Sequence, residues 1–138
     1  MPTRFFSEDT PFTLLKPRKT SNWITKVIST EKRTPGELNF IFCSDDYLRE
    51  INIQYLNHKT YTDIITFDTS EGTHHISGDI YISIDRVKEN AIKFHADFDD
   101  ELHRVIIHGV LHLLGFSDKS AAKKLLMRRK ENAYLSLR

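Results

Sequence analysis

The chain has 138 residues, of which 39% are hydrophobic and 28% charged, with 20 Lys and Arg against 19 Asp and Glu and a formal net charge of +1. That length suits one compact domain over residues 1–138, and the composition is ordinary for a soluble globular protein and indicates neither disorder nor a membrane protein. No stretch approaches the roughly 18 consecutive apolar residues of a membrane helix, and the near-neutral total excludes a uniformly basic protein, leaving only local patches such as the basic segment from Lys119 and the acidic run Asp97–Glu101.

The opening residues MPTRFFSEDTPF lack a basic start followed by a long apolar run, so no signal peptide is read there, and a cytoplasmic protein with no membrane association is expected. Arg4–Ser7 reads as a short strand with Phe5 and Phe6 on opposite, covered faces. The segment DTPFTLLKPRKTSNW, with Pro11 and Pro17, reads as an extended connection. Ser21 or Asn22 then caps a helix to about Thr30, with Trp23, Ile24 and Val27 inward, and Pro35-Gly36 makes a turn.

The run ELNFIFCS, Glu37–Ser44, is the pattern of a strand buried on both faces. It holds the single cysteine, Cys43, so no disulfide framework exists and any zinc is bound without thiolates. Ser44 or Asp45 caps a helix ending near Asn57, with Leu48, Ile51 and Tyr55 or Leu56 on its inner face. Thr62–Thr69 and Gly78–Ile84 are strands joined as a hairpin by the polar link SEGTHHIS. Asp85 caps a helix with Val87, Ala91 and Phe94 inward. A second helix begins near Asp99 or Asp100, where carboxylates suit the positive end of its dipole. Ser120 caps a last helix to about Leu135, with Ala122, Leu125, Leu126 and Ala133 as its inner stripe. The order argues for an α+β fold, a mixed sheet of about four strands covered by helices with a central metal-binding helix behind it. The loop after the second helix and the strand GDIYISI are expected to edge a cleft in front of the metal.

The chemistry is concentrated in HRVIIHGVLHLLGFSDKS, His103–Ser120. Positions four apart on an α-helix stand on one face about 6 Å apart, so His108 and His112 can close on one ion. Gly115 supplies the left-handed residue that ends a helix and turns the chain, and Asp118 then arrives as an oxygen ligand. Two histidines and a carboxylate leave a coordination position open, and zinc is the first metal to name. The spacing resembles the long zinc-protease signature, but the glutamate that follows the first histidine there is Gly109 here. Peptide hydrolysis by the usual base is therefore disfavoured, and no general base is assigned.

The ordered set INIQYLNHKTYTDIITFD, GDIYIS and ELHRVIIHGVLHLLGFSD resembles the YbeY family of bacterial metal-dependent endoribonucleases. The resemblance implies one zinc per chain, single-stranded RNA as substrate, ribosomal RNA maturation and quality control as the setting, and association with the small ribosomal subunit. Asp118 stands where the family's commonest third ligand is His, Ser117 where Asp is usual, and Leu56 where an Arg usually follows the position of Tyr55. A carboxylate is an acceptable zinc ligand, whereas Leu cannot make the bidentate phosphate contact of Arg. Alternatives are a ribosome assembly factor whose zinc is structural, and a metalloprotease.

The remaining polar residues have plainer readings. His103 lies about 140° round the helix from His108 and faces away from the site. His74 and His75 are solvated link residues, and His58, Lys59 and His95 sit at helix ends, where cations are favoured. Lys123, Lys124, Arg128, Arg129 and Lys130 give a basic helix surface available to RNA phosphate, with no interleaved aromatic to stack bases.

Overall fold

A computed structural model describes residues 3–138. The elements are β1 (Thr3–Ser7), α1 (Pro17–Thr30), β2 (Thr34–Cys43), α2 (Asp45–Leu56), β3 (Ile64–Asp68), β4 (His75–Ser83), α3 (Ile84–Lys93), α4 (Phe98–Leu113) and α5 (Ala121–Leu135). The sheet order is β1-β2-β4-β3; β1, β2 and β4 run parallel and β3 pairs antiparallel with β4. The fold is the expected α+β mixed sheet of four strands.

Strand alternation separates two cores. Leu38, Phe40 and Phe42 of β2, with Ile76, Ile80 and Ile82 of β4, face α1 and α4, where Trp23, Ile24, Val27, Leu102, Ile106 and Val110 complete the main cluster. The residues between them point the other way, and Cys43, Ile65 and Tyr81 pack beneath Leu48 and Ile51 of α2. As the nearly all-apolar sequence of α4 requires, that helix is central, packed on the sheet, α1, α3 and α5. No helix among the described residues is long and apolar enough to cross a membrane.

Several boundaries and faces differ from the sequence expectation. α1 begins at Pro17, because proline lacks only an N–H that the first helical turn leaves unused, with Lys16 in the left-handed region at φ 54° before it. Pro35-Gly36 lies inside β2, absorbed by a register shift between Pro35 and Leu38. α3 is capped by Ser83, whose Oγ accepts from Arg86 N at 3.1 Å, and not by Asp85. Phe94, expected inward, follows the last turn of α3 and is 57% exposed. Phe6 is exposed on the edge strand β1, and Tyr55 and Leu56 are exposed at the end of α2.

The inner stripe of α5 is Met127, Glu131 and Tyr134, while Leu125 and Leu126 point to solvent. Two buried polar demands set this rotation. Trp23 Nε1 donates to the Tyr134 carbonyl at 2.8 Å, and Glu131 turns inward to meet Arg104 and His108 of α4. The cleft edge also differs: β4 is an interior strand, and β3 is the edge beside the loop that follows α2.

Gly109 explains how α4 approaches the sheet so closely. A Cβ there would lie 2.9 Å from Ile64 Cδ1 and 3.0 Å from Ile80 Cγ2. The residue after the first histidine therefore faces packed sheet, and a glutamate base has no room at that position. Gly109→Glu is expected to lose more than about 2 kcal/mol of stability, because it forces a carboxylate against apolar side chains. Gly109→Ala is expected to lie near neutral, the gain of about 1 kcal/mol in helix propensity offsetting the tight approach. Urea unfolding tests both, and an unchanged midpoint for Gly109→Glu would contradict this packing.

Candidate metal centre

The end of α4 is built to return the chain across its own last turns. Gly115, at φ 102°, follows the cap residue Leu114; its N–H donates to the His112 carbonyl at 3.0 Å, and Phe116 N–H donates to the Leu111 carbonyl at 3.0 Å. This pair of bonds closes a helix through a left-handed glycine. Asp118 is thereby brought beside the two histidines, as the spacing predicts.

The His108 and His112 Nε2 atoms are 3.0 Å apart, and Asp118 Oδ2 lies 3.6 Å from the first and 3.7 Å from the second. Two donors each bound at about 2.0–2.2 Å and a tetrahedral angle would stand about 3.3–3.6 Å apart, so the cluster has the dimensions of a metal's donor set. The charges agree, since two neutral imidazole lone pairs facing each other at this range repel unless a cation or proton lies between them. Among the described residues, His108, His112 and Asp118 are the group whose donor atoms all fall within 4.8 Å of one another.

Sequence reading missed the residue that orients this cluster. Glu131 of α5 is 5% exposed, and its Oε2 accepts from His108 Nδ1 at 2.7 Å while Oε1 accepts from Arg104 Nη1 at 2.9 Å. A carboxylate on Nδ1 fixes the tautomer that leaves Nε2 free for an ion. Burial pushes the Glu131 carboxyl up, but the hydrogen bonds from His108 and Arg104 outweigh it and hold the group below its ordinary value. His108 is the mirror case: burial pulls it down, and Glu131, then Asp63 and Asp118, raise it. His112 is lowered by burial and by the neighbouring His108. The sequence signal for Glu131 was an acidic residue four after Met127 and three before Tyr134, on a helical stripe that the more apolar leucines obscured.

The other histidines stay apart from the cluster. His103 packs on Trp23 with ring centroids 5.5 Å apart and donates from Nδ1 to the Asp99 carbonyl at 2.7 Å. His74 meets Thr34 Oγ1 at 3.2 Å, His75 begins β4 and stands edge-on to His74, and Asp79 accepts from Asn39 at 3.0 Å on the sheet. His58 lines a cleft of about 450 Å³ that reaches His112 along the edge of β3. Asp63, given no role from the sequence, lines a second cleft with His108 and Asp118, where burial raises its carboxyl against the opposing pull of His108.

A mixed sheet backed by a helix that carries two histidines and ends in a glycine turn delivering a carboxylate defines the class: an α+β protein with a zincin-like metal-site scaffold. Residues 7–137 match the family model described as Endoribonuclease YbeY. A relative named Endoribonuclease YbeY from Cytophaga hutchinsonii is 52% identical over 97% of this chain and 94% of its own length. One of the same name from Flavobacterium psychrophilum is 53% identical over 96% and 94%. The solution structure of a Thermotoga maritima protein superposes with a TM-score of 0.70 at 30% identity, over 97% of this chain and 87% of that one. The chain belongs to the YbeY family.

Glu131→Gln keeps the shape of the clamp and removes its charge. It is expected to lower zinc affinity about 10- to 100-fold, measured by competition with a chromogenic chelator. In the unaltered protein the affinity should rise with pH, because the raised His108 must give up its Nε2 proton to bind a cation. Unchanged affinity in Glu131→Gln would mean that the carboxylate does not tune the site.

Proposed function

We propose that this protein is a zinc-dependent endoribonuclease that cuts single-stranded RNA during ribosomal RNA maturation and ribosome quality control, acting as a single domain in the cytoplasm in association with the small ribosomal subunit. The observation that carries the reading is the three-donor cluster of His108, His112 and Asp118 with Glu131 behind it, in a chain of the YbeY family. His108 and His112 present nitrogen donors from one face of α4, Asp118 supplies an oxygen, and Glu131 holds the His108 ring in the binding orientation. Bound among these donors, zinc supplies Lewis-acid polarisation of a phosphoryl oxygen and activation of water at neutral pH. Arg104 neutralises Glu131, so the buried carboxylate stays ionised beside His108. The carboxylate at position 118 adds a negative charge that a histidine would not, which favours retention of the cation and makes it a weaker Lewis acid.

One observation favours a second reading. Leu56 lines the cleft along β3 together with Thr60, Thr62 and Thr66, and among the described residues no Lys or Arg lines that cleft. An assembly factor with a structural zinc would need no phosphate clamp there. The protease reading finds no support, since the position of its base is packed against Ile64 and Ile80.

The purified protein is expected to carry close to one zinc per chain. His108→Ala and His112→Ala should each lose it, Asp118→Ala should bind it weakly, and Asp118→His should retain it. Unstructured RNA should be cut, chelation should stop the cutting and zinc should restore it, while an unfolded protein substrate stays intact. Metal content together with a labelled-RNA assay reads all of these. Salt-sensitive RNA binding without turnover would favour the assembly factor, and cleavage persisting in the His108→Ala, His112→Ala double variant would overturn the nuclease reading.

A further inference from the structure

The second cleft, of about 570 Å³, reaches His108 and Asp118, whereas the Leu56 cleft reaches His112, and the two differ in chemistry. It is lined by His108 and by the carboxylates of Asp63, Glu101, Asp118 and Glu131, and also by Phe94 after α3, Arg104 of α4 and Lys124 and Arg128 of α5. Phe94 is 57% exposed, although a buried phenylalanine would stabilise the fold more than a solvated one. Lys124 has no carboxylate within 4.0 Å among the described residues. Arg128 approaches only Glu131, at 3.8 Å, and that carboxylate already accepts from Arg104 at 2.9 Å. A largely exposed aromatic ring, with the Lys93 ammonium 5.6 Å from its centroid, and two cations, of which only Arg128 has a carboxylate within 4.0 Å, thus border the metal donors.

These are the components of single-strand recognition, an aromatic face for a base and cations for the backbone. They come from separate elements, so the lack of aromatics within α5 itself does not weigh against stacking. We propose that this cleft receives one unpaired nucleotide, next to the phosphate presented to His108, His112 and Asp118, with its base against Phe94 and its own phosphate between Lys124 and Arg128. The proposal rests on the nuclease reading above and adds to it a location and a physical basis for its single-strand selectivity. The carboxylates that line the cleft repel phosphate, so the backbone is held at Lys124 and Arg128. A base held in a duplex stack cannot also lie on Phe94, so the subsite selects against paired strands.

The test is fluorescence anisotropy of a labelled, unstructured hexaribonucleotide on the full chain with its metal chelated, so binding is read without turnover. Phe94→Ala should weaken binding about 5- to 150-fold, the loss of one stacked base, whereas Phe94→Trp should retain it. An abasic site scanned through the RNA should cause the same loss at one position, and Phe94→Ala should cost nothing further on that RNA. Lys124→Glu with Arg128→Glu should reduce the salt slope of log affinity by about 0.7 for each phosphate that is no longer neutralised, with zinc content unchanged. No measurable binding, or equal binding by the unaltered protein and Phe94→Ala, overturns the subsite. Cleavage separates this from the nuclease reading: an unaltered protein that cannot cut RNA with zinc present overturns that reading, whereas cutting with the same KM in Phe94→Ala overturns the subsite alone.

Discussion

The buried carboxylate of Glu131 is the point on which both the helical packing and the candidate centre depend. A carboxylate removed from water is costly unless every lone pair it turns inward finds a donor. Arg104 and His108, one turn apart on α4, supply those donors. The same hydrogen bonds fix how α5 is rotated on α4 and which nitrogen of His108 is left for an ion. Arg104 also donates to Asn132 Oδ1 at 2.7 Å, so two successive residues of α5 are tied to one guanidinium. A helix turned to bury Leu125 and Leu126 instead would carry Glu131 away from both partners.

α4 serves the core and the site at once because its faces are divided. Leu102, Val105, Ile106 and Val110 belong to the main core, while His108 and His112 lie on the partly open side. The close approach at Gly109 brings the histidine-bearing helix onto the edge of the sheet, and the glycine turn at Gly115 brings the carboxylate back over it. A rigid helix is a precise place to hold two donors, since neither ring depends on loop order for its position. The clefts that reach the cluster differ in lining, one holding threonines and Leu56, the other Phe94 with both cations and carboxylates.

Much of this was legible in the sequence where a local rule had no competitor. The spacing of His108 and His112, the left-handed glycine after them and the return of Asp118 follow from helix geometry and chain reversal within a dozen residues. Ser44 and Ser120 capped their helices as their side chains allow. What stayed hidden depended on partners distant in the chain. Glu131 reads as a surface residue until His108 and Arg104 are brought to it. Phe94 reads as core because helical spacing continues past the residue where α3 stops. Pro17 and Pro35 read as breaks, but a first helical turn and an irregular strand pairing each accommodate a proline.

The most direct test of the centre is X-ray absorption spectroscopy of the zinc-loaded protein, which reads the atoms bound to the metal independently of any activity. The account predicts two imidazole nitrogens and at least one oxygen at about 2.0–2.2 Å, no sulfur, and loss of the whole two-imidazole shell in His112→Ala, which should no longer hold the ion. Sulfur scattering, or a shell with the same two imidazoles in His112→Ala, would contradict it by placing the zinc away from α4.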